Sequence, residues 1–122
     1  DDLGSTKLEG FGYQGHEQGR TIVTYVRDKY LSLIDATKLD NDGYGVDTEP
    51  LNEIGIPTMA NRIKDTGDNE FYFTYHHTAA DSITMMNADD LDSNVLGIAT
   101  LFYILADLEE SIQKPTLDAG KY

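Results

Sequence analysis

The sequence predicts a layered α/β domain, because segments with a helical repeat alternate with short apolar segments typical of strands. Of its 122 residues, 39% are hydrophobic and 25% are charged, a balance typical of a globular chain with a core. The most apolar helical repeat lies near the C-terminus and requires more packing surface than the other predicted elements supply. These observations favour one folded unit in which helices pack on a sheet.

The first 43 residues are predicted to form a loop, a helix, a short strand and a turn. Residues 3–19 are rich in glycine and poor in aliphatic side chains, which predicts a loop. Apolar residues then recur at helical spacing over 17–34 and predict an amphipathic helix. Residues 36–39 form a candidate strand, and the Asp-Asn-Asp-Gly string at 40–43 predicts a turn.

A short helix and two strands are predicted next. Thr48 is a plausible N-cap for a helix through Glu53, and Gly55 is suited to end that helix. Residues 56–60 predict a buried strand, and the aromatic-rich segment 71–75 predicts another.

The final helix is the most clearly patterned element. Either Asn87 or Asp89 can cap it, and apolar residues repeat at helical spacing as far as residue 112. Because the middle of this helix is apolar on nearly every side, we expect it to be buried on most sides.

Charge and composition exclude several classes of function. With 22 acidic and 9 basic residues the net charge is -13, which disfavours nucleic acid and anionic membrane as partners. The absence of cysteine excludes disulfides, cysteine zinc sites and thiol nucleophiles. The apolar segment 95–106 is too short to span a bilayer. The opening residues lack a signal-peptide pattern, so we expect a targeting segment to be absent or already removed.

The densest polar group in the chain is the string His-His-Thr-Ala-Ala-Asp-Ser at 76–82. In an extended segment adjacent side chains point to opposite faces, so His76 and His77 are not expected to bind one metal ion without a local twist. If a metal ion binds here, we expect one histidine to be the ligand and the other to pack or hydrogen-bond beside it, with Asp81 a candidate to orient the ligating imidazole. From the residues alone, a pair of structural histidines bonded to backbone carbonyls is favoured, because two adjacent histidines are a weak motif.

Three acidic segments offer further candidates. Asp2 introduces the glycine-rich segment and could be a metal ligand or a general base, or part of a solvated terminus. Asp40, Asp42 and Glu49 match part of an EF-hand loop, but Lys38 stands where the first ligand belongs, which favours a solvated turn over a calcium site. Asp47 precedes the short helix. The favoured interpretation is an ordinary loop carboxylate, and a role in a functional site is the less favoured one.

Taken together, these strings resemble a known family. Gly-Val-Asp at 45–47, Ile-Gly-Ile-Pro at 54–57, the 73–82 segment with its two histidines, and Ala-Asp-Leu-Glu-Glu at 106–110 follow one another in the same order as in co-catalytic dizinc exopeptidases of the plasma glutamate carboxypeptidase group. The resemblance covers essentially the whole chain. It implies that residues 1–122 are the C-terminal portion of one catalytic domain, a three-layer αβα fold with a mixed central sheet.

The resemblance also implies a site. His77 matches the last zinc-binding histidine of the family and Asp2 matches a later zinc-binding aspartate, while Asp47, His76 and Asp81 would lie beside the metals or support them. The remaining ligands and the general-base glutamate would lie upstream of residue 1, so no catalytic residue is expected in this chain. We therefore expect two zinc ions, a metal-activated water and hydrolysis of peptides or dipeptides only when the N-terminal portion completes the site.

The same resemblance implies a secreted or lysosomal protein that is bound to its N-terminal portion, and it is compatible with a homodimer of the assembled enzyme. The alternative is a non-catalytic binding module. It could be an acidic calcium-binding domain or a degenerate peptidase relative that has lost its metals.

Overall fold

The computed structural model describes residues 6–43, 45–64 and 74–108. Its three strands form a mixed sheet in the order β2-β1-β3, with the central strand parallel to β2 and antiparallel to β3. The predicted α/β class is therefore confirmed. The elements in chain order are β1 (Leu8–Gln14), α1 (Glu17–Lys29), a 3₁₀ turn (Leu31–Ile34), β2 (Lys38–Asp40), α2 (Glu49–Glu53), β3 (Thr58–Ile63), a second 3₁₀ turn (Ile83–Met85) and α3 (Ala88–Ala106).

The central strand β1 lies where the sequence predicted a loop, so that prediction was wrong for residues 8–14. Its glycines are needed because other main-chain segments pass very close to the strand. A Cβ atom on Gly10 would collide with the main chain of Lys38, and one on Gly12 would collide with the carbonyl of Asp42. These glycines permit close backbone approach within a sheet, a role that local composition does not distinguish from loop formation.

The hydrophobic core lies on one face of the sheet. Both α1 and α3 contribute to it, and they contact each other as well as β1. Its buried members are Leu8, Phe11, Val26, Leu31, Ala36 and Leu101.

The other face of the sheet is polar. Residues opposite each other in a sheet share a face, and Gly10 lies opposite both Lys38 and Arg62 while Gly12 lies opposite Asp40. The lack of side chains on the two glycines leaves room for these charged groups.

A buried amide joins the last helix to the beginning of the sheet. The Asn94 side chain in α3 donates from Nδ2 to the Thr6 carbonyl over 2.8 Å. Thr6 in turn donates from Oγ1 to the Lys64 carbonyl, also over 2.8 Å, just beyond the end of β3. Residues 88 positions apart are thus held together by one side chain.

The predicted helices and short strands are largely present, with shifted ends. The helix predicted over 17–34 ends at Lys29 and continues as a 3₁₀ turn. Thr48 precedes α2 as its N-cap residue, and Gly55 follows with a left-handed φ of 84°. Strand β3 begins two residues later than predicted, and only its first residue is fully buried.

The final helix α3 begins as predicted but is only partly covered. Asn87 caps it, accepting a hydrogen bond at Oδ1 from the Asp90 backbone N–H over 3.1 Å. The helix ends at Ala106, before the predicted position 112, and residues 109–112 lie outside the described ranges. The expectation of burial on most sides was wrong, since large apolar side chains remain exposed on one face. Within residues 6–43, 45–64 and 74–108, no helix has the length and apolar character needed to cross a membrane.

Candidate functional site

The segment that carries both candidate histidines is a compact turn. The strand predicted over 71–75 does not extend to its end, because Thr74 and Tyr75 are helical, while residues 71–73 lie outside the described ranges. Thr78 organises the turn. Its backbone N–H and its Oγ1 both donate to the Tyr75 carbonyl, over 3.0 and 2.7 Å, and its own oxygens accept from the backbone N–H groups of Ala80 and Asp81. A threonine hydroxyl that satisfies main-chain groups in this way fixes the local backbone.

His77 adopts a conformation that is uncommon for a residue with a side chain. Its φ is 57°, in the left-handed region, where non-glycine residues often mark functional sites. This twist brings the rings of His76 and His77 into a stack, with centroids 3.8 Å apart and planes inclined by 24°. The expectation of opposite faces, which assumed an extended segment, was therefore wrong. The His77 side chain is exposed, and His76 is half-buried beside it.

The other predicted site residues are only partly brought together. Asp81 lies in the same turn as the histidines, and its side chain is exposed. Asp47 is exposed in the turn before α2, and Asp2 lies outside the described residues. Within the described part of the chain, no three side chains of histidine, aspartate or glutamate come together as a metal site.

The acidic turn considered for calcium is organised by an arginine. Arg62 on β3 donates to both carboxylate oxygens of Asp40, from Nε over 2.6 Å and from Nη2 over 2.8 Å. It also donates to the Asp42 carbonyl and lies 3.4 Å from the Asp42 carboxylate. A guanidinium already neutralises the oxygens that a calcium ion would need, so the geometry disfavours the calcium alternative. The sequence interpretation missed Arg62 because its partners lie 20 and 22 positions away.

The Arg62 guanidinium holds the pKa of the Asp40 carboxyl below its usual range. A carboxyl group whose pKa is lower in the folded than in the unfolded state contributes its full stabilisation above the unfolded pKa, which is about 3.9 for aspartate. This stabilisation is lost as the pH falls through the folded-state pKa. Asp40→Asn should therefore lower the free energy of unfolding at pH 7 by only about 0.5–1 kcal/mol, because half of the Asp40 side chain is exposed to solvent. Urea unfolding at pH 7, 5 and 3 measures this difference.

The matched control is Asp35→Asn. Asp35 pairs with Lys7 through one contact of 3.4 Å and is far more exposed than Asp40. Asp35→Asn should change the unfolding free energy less than Asp40→Asn at pH 7, and the difference between the two variants should become smaller as the pH falls from 7 to 3. Equal losses at pH 7 would contradict a specific role for the paired contact with Arg62.

Comparison with known proteins identifies relatives of this chain. No protein-family profile matches the chain. It is similar to carboxypeptidase Q of Rattus norvegicus, Bos taurus and Homo sapiens, with 27%, 28% and 26% identity over 113 residues. These matches cover 93% of this chain but 23% of each relative, so the chain spans about a quarter of the length of the curated relatives it matches.

A solved structure agrees on the fold. The crystal structure of a peptidase M28 precursor from Shewanella amazonensis superposes with a TM-score of 0.74 at 23% identity, covering 94% of this chain and 25% of that one. At this identity the match concerns the fold alone, and it fits the mixed sheet with packed helices described above. The resemblance found in the sequence is confirmed: this chain is a peptidase-related α/β unit, homologous to part of carboxypeptidase Q.

Proposed function

We propose that this chain is part of a zinc-dependent exopeptidase that hydrolyses peptide bonds of peptides or dipeptides. The observation that carries the proposal is His77. It is an exposed histidine in a left-handed conformation, on a turn fixed by Thr78, at the position that matches the last zinc ligand of the resembling family. The names of the relatives, which are carboxypeptidases, support the class of reaction.

The residues present can supply some of the ligands of a zinc centre. An imidazole is a suitable zinc ligand, and an exposed ring on a rigid turn can be presented to an ion held mainly by other segments. Asp2 is proposed as a second ligand. The remaining ligands and the glutamate that serves as general base belong, in this proposal, to the N-terminal portion of the peptidase. Zinc, when bound, lowers the pKa of a water molecule and polarises the scissile carbonyl.

The groups around His77 would prepare its imidazole for this role. The Thr78 hydrogen bonds fix the backbone on either side of the ligand, and the stacked ring of His76 restricts rotation of the His77 ring. Support of this kind by neighbouring residues increases metal affinity, because less conformational freedom is lost when the metal binds. Asp81 and Asp47 are proposed as groups that line or support the same site.

The proposal is tested on the native polypeptide that contains this chain. We expect it to hold two zinc ions by elemental analysis and to release residues from the end of a peptide. We also expect a chelator to abolish hydrolysis and added zinc to restore it. A native polypeptide that binds no zinc and hydrolyses no peptide would instead support a degenerate relative that acts as a binding module. Stoichiometric calcium lost on Asp42→Ala would support the acidic-module alternative.

A further inference from the structure

The two faces of α3 differ sharply in burial. Asn94, Gly97 and Leu101 face the sheet and are buried. On the opposite side, four large apolar side chains are exposed at helical spacing and form what we call the apolar stripe: Val95 (49% exposed), Leu96 (52%), Phe102 (66%) and Tyr103 (74%). A helix that is apolar all round is normally covered on all sides. The apolar stripe therefore lacks cover from the described residues.

Net charge and contact area argue against a second copy of this chain as the cover of the stripe. The chain has a net charge of -13, so two copies would repel each other. At about 200 Å² for a fully exposed large apolar side chain, the four side chains of the stripe expose roughly 500 Å². A standard protein–protein interface buries about 800 Å² on each partner, so the stripe alone falls short of one.

Such a stripe suits the interior of a larger domain, where one helix face is a small part of a continuous core. The relatives are about four times as long as the segment that this chain matches. We propose that the apolar stripe is the surface on which the upstream portion of the peptidase packs. This inference rests on the proposed function only in taking that upstream portion as the partner.

The test uses the native polypeptide and two substitutions with the same chemistry. Phe102→Glu places a charge in the middle of the stripe. Leu33→Glu is the matched control, because Leu33 is an apolar side chain that is 82% exposed and lies in the 3₁₀ turn Leu31–Ile34, outside the stripe. We expect Phe102→Glu to lower the midpoint of thermal unfolding by about 5–10 °C, and Leu33→Glu by less than about 2 °C.

A second measurement does not depend on the charged variant folding. The chain has no cysteine, so Phe102→Cys and Leu33→Cys each introduce one thiol whose labelling can be followed by peptide mass mapping. A maleimide should label position 102 at least about tenfold more slowly than position 33 under native conditions, and both positions equally after unfolding.

Several results would overturn the inference. These are equal labelling at the two positions, equal tolerance of both glutamates, a native polypeptide without an upstream portion, or a native dimer that Phe102→Glu converts to folded monomers. The zinc content is measured separately. A protected position 102 in a polypeptide without zinc would overturn the proposed metal chemistry while leaving the packing surface supported.

Discussion

Replacing His77 by alanine in the native polypeptide is expected to remove about one zinc ion and to lower peptide hydrolysis by at least about 100-fold. Residues that merely support a metal ligand contribute about 10–100-fold to affinity or activity, so loss of a ligand itself should cost more. Because the His77 side chain is exposed, its removal should leave the thermal midpoint of the metal-free protein within about 2 °C. Elemental analysis, steady-state kinetics and thermal unfolding of the metal-free form separate these effects.

His16→Ala is the matched control, since it removes the same side chain elsewhere. His16 precedes α1, and its main-chain carbonyl accepts from Tyr13 and Arg20, while its side chain does not cap the helix. Both main-chain contacts survive the substitution, so zinc content and activity should be unchanged. Full zinc and full activity in His77→Ala would show that His77 is not a ligand and would remove the main support for the proposed function.

Gly10→Ala is expected to be the most destabilising single substitution in the sheet, costing about 3–5 kcal/mol in the free energy of unfolding. Two effects combine. The φ of Gly10 is 148°, a conformation that residues with a side chain rarely adopt, and the added methyl group would collide with the main chain of Lys38. A main-chain segment in a sheet cannot move aside as a flexible side chain can. A loss of this size is a large part of the 5–15 kcal/mol that stabilises a typical domain.

Gly55→Ala separates the two effects. Gly55 also has a positive φ, 84°, but an added Cβ would have no neighbour within 4 Å. Gly55→Ala should therefore lower the free energy of unfolding only by the strain of the left-handed backbone, about 1–2 kcal/mol. Denaturant unfolding of both variants gives the comparison. If the two glycines prove equally sensitive, close packing of β1 against β2 contributes nothing beyond backbone strain.

The fold was predictable from sequence wherever local chemistry decides the structure. The capping residue Asn87 and the turn after Asp40 follow from side chains that act on their own backbone, and the turn before α2 is held by the Thr48 hydroxyl, which donates to the Gly45 carbonyl. Strand β1 was not predictable in this way. Gly10 and Gly12 lie in a strand because Lys38 and Asp42 pass close to them, and that proximity is a property of the tertiary fold.

The candidate site shows the same division. The histidine pair was recognisable from the chain, whereas the stacking of the two rings depends on the left-handed backbone at His77. The ion pair between Asp40 and Arg62 likewise depends on strands that are distant in sequence. The roles of Asp2, Asp47 and Asp81 remain predictions that the metal analysis of the native polypeptide can test.

The hydrogen bond from Asn94 to Thr6 has a consequence for the synthesis of the protein. These residues are 88 positions apart, and at about 5–20 residues per second a ribosome needs roughly 4–18 seconds to make the intervening chain. During that interval Leu8 and Phe11 have no α3 to cover them. Newly made β1 is therefore exposed to aggregation during this interval, and it is a segment that a chaperone would be expected to bind.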